Sequence, residues 1–101
     1  MRRVVISRRV NQQIYELERY LQQDFHFSKQ AARRRSGAIK RAILRLGNPF
    51  GEAALCRFRK WRDKGYRCVS FDGWVFAYEI VQDGVAVQDM AHSSLLSDVV
   101  Y

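Results

Sequence analysis

Only a few residues of this sequence have types and spacing that suit chemistry. The chain has two histidines, and His92, at the end of a predicted strand, could act as a general acid because imidazole titrates near neutrality. His26 lies in a predicted turn between helices. Cys56 and Cys68 form no CxxC pair for zinc or redox work and are too few for a disulfide framework. We expect both to be small buried apolar residues, and we predict no metal site and no cofactor.

Charge is the strongest compositional signal. The formal net charge is +8, and it is uneven: residues 1–62 hold sixteen Lys and Arg against four acids, whereas residues 63–101 hold two against six. The two parts therefore carry +12 and −4. A small basic protein of this kind binds a polyanion, which can be a nucleic acid, an anionic membrane surface or an acidic protein. Composition does not choose among the three.

The elements that must position these residues begin with a strand and a helix. Residues 3–7 are mostly β-branched, which predicts a short strand. A helix at about 8–24 is predicted next, with Ser7 as the N-cap whose hydroxyl accepts from a first-turn amide. Its apolar stripe consists of residues at helical spacing: Val10, Ile14, Leu17 and Leu21.

A second helix is predicted after Ser28, its N-cap, and Gly47 is expected to end it in a left-handed conformation. Pro49 then confirms the stop, because proline cannot continue a helix. The link between the helices is only three or four residues long, so we expect an antiparallel hairpin. The second helix contains no acid and seven cations: Lys29, Arg33, Arg34, Arg35, Lys40, Arg41 and Arg45.

The rest of the chain is predicted to be β. Four strands are expected: 55–61, 66–71, 74–81 and 85–92. Tight turns at 63–65, Asp72-Gly73 and Asp83-Gly84 force antiparallel neighbours. The predicted fold class is α+β: an N-terminal strand, an antiparallel α-helical hairpin over one face of the sheet, and a four-stranded antiparallel β-meander whose other face is at least partly open. The tail, 93–101, fits either a short helix or an extended arm.

Length and composition set further bounds. The 101 residues suit one domain, spanning 1–101, and 48% hydrophobic content excludes disorder for the bulk of the chain. No apolar run approaches the roughly 18 residues of a membrane helix. The opening MRRVVISRRV has too short an apolar stretch for a secretory signal. We therefore expect a cytoplasmic protein with no membrane partner.

The ordered set of elements resembles the RelE/ParE superfamily of bacterial toxins, the stable halves of type II toxin–antitoxin modules. The resemblance covers nearly the whole chain: the opening VVIS, a helical hairpin ending in ILRLGNPFG, a strand carrying Gly65-Tyr66-Arg67, the strand WVFAYEI, and a final strand ending in His92. It implies a two-layer toxin domain that stops growth when free. It also implies neutralisation by a small, acidic, partly disordered antitoxin protein.

RelE-like members of the superfamily cut mRNA in the ribosomal A site. Metal-free cleavage needs a base, arginines that stabilise the phosphorane, and an acid. By resemblance, Arg67 would clamp the phosphate, Arg57 would lie among the basic residues of the open face, and His92 would be the acid. However, the last strand has no second arginine and the tail has no His-Tyr pair. The structural alternatives are an ion pair of Arg67 with Glu79 or Asp89 and a strand-end hydrogen bond for His92.

ParE-like members instead bind and inhibit DNA gyrase; they have longer helices and lack a full catalytic set. This chain has both features, so we favour gyrase inhibition without catalysis, with ribosome-dependent mRNA cleavage as the alternative. Trp61 is expected to be exposed, and Trp74 to be a cross-strand aromatic in the core. The candidate partner-binding residues are Arg33, Arg34, Arg41, Arg45 and Trp61, since arginine and tryptophan dominate binding hot spots. For the arginines, the structural alternative is a solvated helix face.

A plain nucleic-acid-binding module is a third interpretation. The sequence has no helix-turn-helix turn with its glycine, and it has no aromatic strand signature of an RNA-recognition sheet. Membrane-surface binding is disfavoured because the first helix has no large apolar aromatics on its stripe.

Overall fold

A mixed four-stranded sheet with a helical hairpin on one face forms the frame of the molecule. The computed structural model describes residues 2–48 and 53–99; Pro49 and the last two residues of the predicted tail lie outside them. The α+β class is as predicted. The elements, in chain order, are β1 Arg3–Ile6, α1 Arg8–Gln23, α2 Lys29–Leu44, α3 Arg59–Arg62, β2 Arg67–Phe71, β3 Trp74–Val81 and β4 Gly84–His92.

Both long helices begin at the predicted serine caps. The Ser7 hydroxyl accepts from the Val10 amide at 3.1 Å, and the Ser28 hydroxyl accepts from the Ala31 amide at 3.0 Å. These caps satisfy amides that have no partner within the helix. The end of α2 differs from the prediction: the regular helix stops at Leu44 and a 3-10 turn, Arg45–Gly47, follows. The described glycines with positive φ do not include Gly47, so the left-handed stop is wrong.

The sheet has the order β1-β4-β3-β2. Strands β2, β3 and β4 form the antiparallel meander, and the β2–β3 turn has the predicted two-residue form, because both Asp72 (φ 52°) and Gly73 (φ 82°) have the positive φ that it requires. β1 lies parallel to β4, with Arg3 opposite Gly84. A Cβ at Gly84 would overlap the Arg3 carbonyl, so glycine permits this close approach.

The prediction of a four-stranded antiparallel meander is wrong in its first strand. Residues 55–61 contribute two isolated bridges, Leu55 with Arg67 and Phe58 with Val99, and then turn into α3. The loose alternation of this segment favours a strand locally, but its amides bond within a helical turn: the Arg62 amide donates to the Phe58 carbonyl at 2.8 Å. The fourth strand of the sheet is therefore β1, held by pairing that is distant in sequence.

Each face of the sheet carries its own apolar cluster. The larger lies under the hairpin and includes Ile14, Ile39 and Phe76, all nearly inaccessible to solvent. The smaller lies on the opposite face around Trp61 and Val75. That face, predicted to be at least partly open, is thus covered in part by α3. The described part of the chain has no helix with the length and apolar character needed to cross a bilayer.

Cys56 and Cys68 form a disulfide, which the sequence analysis did not predict. The Leu55–Arg67 bridge lays the two segments side by side, with a hydrogen bond from the Cys56 amide to the Tyr66 carbonyl at 2.9 Å. The cysteines that follow the bridge partners therefore come within 4.9 Å between their Cα atoms, inside the range for a disulfide. Cys56 is fully buried, as expected, but Cys68 is only partly buried, and both are half-cystines.

Candidate functional site

Arg67 lies at the start of β2 and does not make either predicted ion pair. Its Nη1 donates to the carbonyl of Ala53, and no ion pair to Glu79 or Asp89 is present among the described residues. The sheet register explains the difference: Arg67 is opposite Tyr78, whose side chain belongs to the cluster under the hairpin. Glu79 follows Tyr78 in β3 and points to the opposite face of the sheet, because the side chains of successive strand residues alternate.

His92 ends β4 as a hydrogen-bonded residue, which matches the structural alternative. The Ser94 amide donates to its Nδ1 at 3.3 Å, and the Ser94 hydroxyl lies 2.9 Å from the same nitrogen. Because Nδ1 accepts, the neutral ring carries its proton on Nε2. The ring meets the indole of Trp74 edge-on, with centroids 5.3 Å apart.

The candidate catalytic residues Arg57 and His92 line different cavities of the described structure. Arg57 lines a cavity of about 470 Å³ on the face opposite the hairpin, with Ser70 and Ser93. His92 lines cavities on the hairpin side, and Arg67 lines neither. A general acid and a phosphate clamp must reach the same scissile group, and here Arg57 and His92 lie on opposite faces of the sheet.

Tyr66 is a titratable group that packs against the smaller cluster, on the face opposite the hairpin. Loss of solvent raises its pKa, and the negative charges of Glu79 and Asp89 raise it further. The phenol therefore stays protonated near neutral pH and is unsuited to act as a base. Among the described residues, no cluster of three or more His, Cys, Asp or Glu side chains is placed to hold a metal ion.

A groove lined by aromatic side chains runs between α1 and the end of the sheet, and sequence reasoning missed it. Two adjoining cavities, of about 550 and 570 Å³, share Tyr20, Trp74 and His92. Tyr20 and Phe25 pack edge to face at 5.2 Å although each is about half exposed. The available signal was the cluster of aromatics at the end of α1. Trp74, predicted to be a core residue, is half-buried here and forms one wall.

The exposed side of α2 is cationic. Of the seven cations, Arg35 forms an ion pair with Asp72 at 2.8 Å. The other six are exposed and have no ion pair within the described residues; we call them the basic face of α2: Lys29, Arg33, Arg34, Lys40, Arg41 and Arg45. All four arginines predicted to bind a partner therefore lie together on one surface.

Trp61, predicted to be exposed, is buried, with 1% of its surface accessible. Its Nε1 donates to Asp89 Oδ2 at 3.1 Å, and its ring packs edge-on against Phe58. The prediction failed because this residue belongs to α3, which turns the indole onto the sheet. Trp61 is a core residue and offers no surface to a partner.

Asp89 joins the two layers of the molecule. Its Oδ1 accepts from Arg9 at 3.1 Å, from Gln13 at 3.3 Å and from the Met90 amide at 2.8 Å, while Oδ2 accepts from Trp61. Burial raises the pKa of this carboxyl, but hydrogen bonds from Arg9, Trp61 and Met90, with the charge of Arg9, hold its pKa below the ordinary value. The carboxylate thus ties α1 to α3 across β4.

Replacing Asp89 by asparagine is expected to lower the free energy of unfolding by about 1.5–3 kcal/mol at pH 7, because charged hydrogen bonds are lost. The lowered pKa of Asp89 in the folded state stabilises the protein above the unfolded-state value near 3.8. That contribution is lost as the pH falls through the folded-state value. Urea unfolding at pH 7, 5 and 3 should show the deficit of Asp89→Asn shrinking at pH 3. Asp83→Asn, at an exposed turn, is the control; an equal deficit at every pH would contradict the role of the carboxylate charge.

A scan against protein-family models and a search of curated proteins each found no match for this chain. The resemblance to RelE/ParE toxins therefore rests on the order of the elements and on the residues named above.

Proposed function

We propose that this protein is a growth-inhibiting toxin of a type II toxin–antitoxin module, of the ParE-like kind, which binds and inhibits DNA gyrase. The order of strand, helical hairpin and β-meander supports a RelE/ParE-like two-layer fold. The two hairpin helices are each 16 residues long, in keeping with the longer helices of ParE-like members.

The observation that carries the choice of mechanism is the separation of the candidate catalytic residues. Arg57 and His92 line different cavities, and Arg67 is engaged by the Ala53 carbonyl. A binding inhibitor needs no such set, but it does need an accessible surface. The exposed basic face of α2 supplies one, since arginine is enriched in binding hot spots.

Neutralisation by an antitoxin suits the charge of the whole molecule and the aromatic groove. An acidic, partly disordered antitoxin would complement the net charge of +8 and would order as it binds. The aromatic groove beside α1 offers apolar surface to the same partner, in the manner of an amphipathic helix laid in a groove.

The deciding experiment is a DNA gyrase supercoiling assay with the purified protein, repeated with an excess of its cognate antitoxin. We expect inhibition with trapped cleaved DNA, reversed by the antitoxin. No effect at high protein concentration would contradict the proposal and favour mRNA cleavage on the ribosome.

Arg67→Ala and His92→Ala are expected to leave growth arrest within about twofold of the wild type, because neither side chain acts in catalysis. Growth after induction measures this, while a thermal melt and antitoxin binding show that each variant is folded. Loss of toxicity in both variants with folding and antitoxin binding intact would overturn the binding mechanism in favour of the ribonuclease alternative.

A further inference from the structure

On its exposed side, α2 has a line of uncharged residues, which we call the crest, between two rows of cations, which we call the flanks. At 3.6 residues per turn, residues seven apart fall close to one line, and Gln30, Gly37 and Leu44 form such a line along the middle of the exposed side. The cations divide on either side of this crest: Lys29, Arg33 and Lys40 form one flank, and Arg34 and Arg41 form the other, with Arg45 just beyond the end of the helix. The helix is about 24 Å long, and it contains no acidic residue.

Gly37 is the residue of the crest that the fold does not explain. Its φ is not positive, and the nearest atom to a Cβ built there, Nη1 of Arg41 at 3.3 Å, is the end of a flexible side chain. Glycine in the middle of a helix is unfavourable relative to alanine. Because Gly37 has no side chain, the surface is recessed at the centre of the crest, where a ligand could approach the helix backbone.

We infer that α2 binds duplex DNA, with its crest directed into the major groove and its flanks against the phosphates on either side. The major groove of B-form DNA is about 12 Å wide and admits an α-helix of about 10–12 Å diameter. Two rows of cations on a helix that enters the groove face the two phosphate backbones that border it. This activity goes beyond the proposed function, since it needs neither gyrase nor an antitoxin.

Other polyanions fit this face less well. Single strands are held by stacking their bases on aromatic side chains, and α2 contains no aromatic residue. The major groove of A-form RNA is too deep and narrow for side chains to read. An acidic amphipathic peptide needs a row of apolar contacts, but Leu44 is the one apolar residue of the crest.

Fluorescence anisotropy with a labelled 20-base-pair DNA of arbitrary sequence, without gyrase, tests the inference. Binding without sequence readout is expected with a Kd of roughly 1–100 μM at physiological salt. Arg33→Gln with Arg41→Gln should weaken binding about tenfold and reduce the slope of log K against log salt by about 2, since each lost phosphate contact removes about 0.9. The matched control, Arg8→Gln with Arg19→Gln on α1, removes the same charge elsewhere and should retain most of the affinity.

Three results would overturn the inference. Equal losses in the two double variants would show that overall charge, and not α2, attracts DNA. Binding of duplex RNA of the same sequence as tightly as duplex DNA would contradict placement in the B-form groove. Wild-type affinity in Gly37→Leu, a variant that raises the crest without changing charge, would contradict close approach of the helix. Gyrase inhibition by a protein that fails these tests would leave the proposed function standing.

Discussion

Replacing Trp61 by alanine is expected to lower the free energy of unfolding by about 3–5 kcal/mol, the range for deleting a buried large aromatic. Trp61 is the largest side chain of the smaller cluster, whose other buried members are Cys56, Val75 and Ala77. Its loss also leaves Asp89 Oδ2 without its donor. Urea unfolding followed by far-UV circular dichroism measures the change.

Trp61→Phe separates the two contributions. Phenylalanine keeps most of the apolar contact with Phe58 but has no N–H for Asp89, so the expected loss is smaller, about 2 kcal/mol. Trp74→Ala, at the half-buried wall of the aromatic groove, serves as a second control and should cost less than Trp61→Ala. A Trp61→Ala protein within 1 kcal/mol of the wild type would show that the smaller cluster does not stabilise the fold.

Removing the disulfide by Cys56→Ala with Cys68→Ala is expected to cost about 2–3 kcal/mol. The bond closes a loop between residues 12 apart in sequence, and loop-closure entropy gives about 3 kcal/mol for a loop of about 15 residues. The loop contains α3 and Trp61, so removing the disulfide destabilises the segment that covers the second face of the sheet. Urea unfolding with and without dithiothreitol measures it.

The wild type in dithiothreitol should become about as unstable as the double alanine variant, whose own stability the reductant should not change. Mass spectrometry after alkylation would confirm two free thiols in the reduced wild type. Unchanged stability despite two alkylated thiols would contradict the loop-closure contribution. Disulfides are rare in a reducing cytosol, and in such a compartment the chain would have both thiols reduced and the lower stability.

Local signals predicted the hairpin and the meander turn well. Ser7 and Ser28 cap the two helices because a serine hydroxyl bonds first-turn amides whatever the rest of the fold does. The Asp72-Gly73 turn is equally local, since it depends on two residues that tolerate positive φ. Information of this kind is contained in a few neighbouring residues and can be derived before any tertiary contact is known.

The errors concern features that distant residues decide. The segment 55–61 alternates like a strand, but burial of Trp61 against Asp89 from β4 accompanies a helical turn there. Cys56 and Cys68 are paired by the bridge beside them, which sequence spacing does not reveal. The sequence also did not predict the pairing of β1 with β4, because that pairing depends on the topology of the whole chain.

The candidate site residues likewise include some that local sequence patterns placed correctly and some whose positions depend on distant contacts. Helical periodicity places Arg33, Arg34, Arg41 and Arg45 on the outside of α2, because the apolar stripe occupies the other side. Arg57 and His92 are separated because Arg57 lies in the turn before α3, on the face opposite the hairpin, whereas the register of β4 turns His92 to the hairpin side. A one-residue change in register moves a side chain to the opposite face.

The pairing of β1 with β4 has a consequence for the order of events during synthesis. Arg3 can pair only after Gly84 has been made, about 80 residues later. β4 lies between β1 and β3, so β1 cannot join the rest of the sheet until β4 has left the ribosome. Contacts this distant in sequence slow folding, and meanwhile the hairpin has no sheet to cover. A nascent chain should therefore expose the apolar stripes of α1 and α2 for most of its translation. A protein that binds the chain at this stage would contact helix surface that the sheet covers in the finished fold.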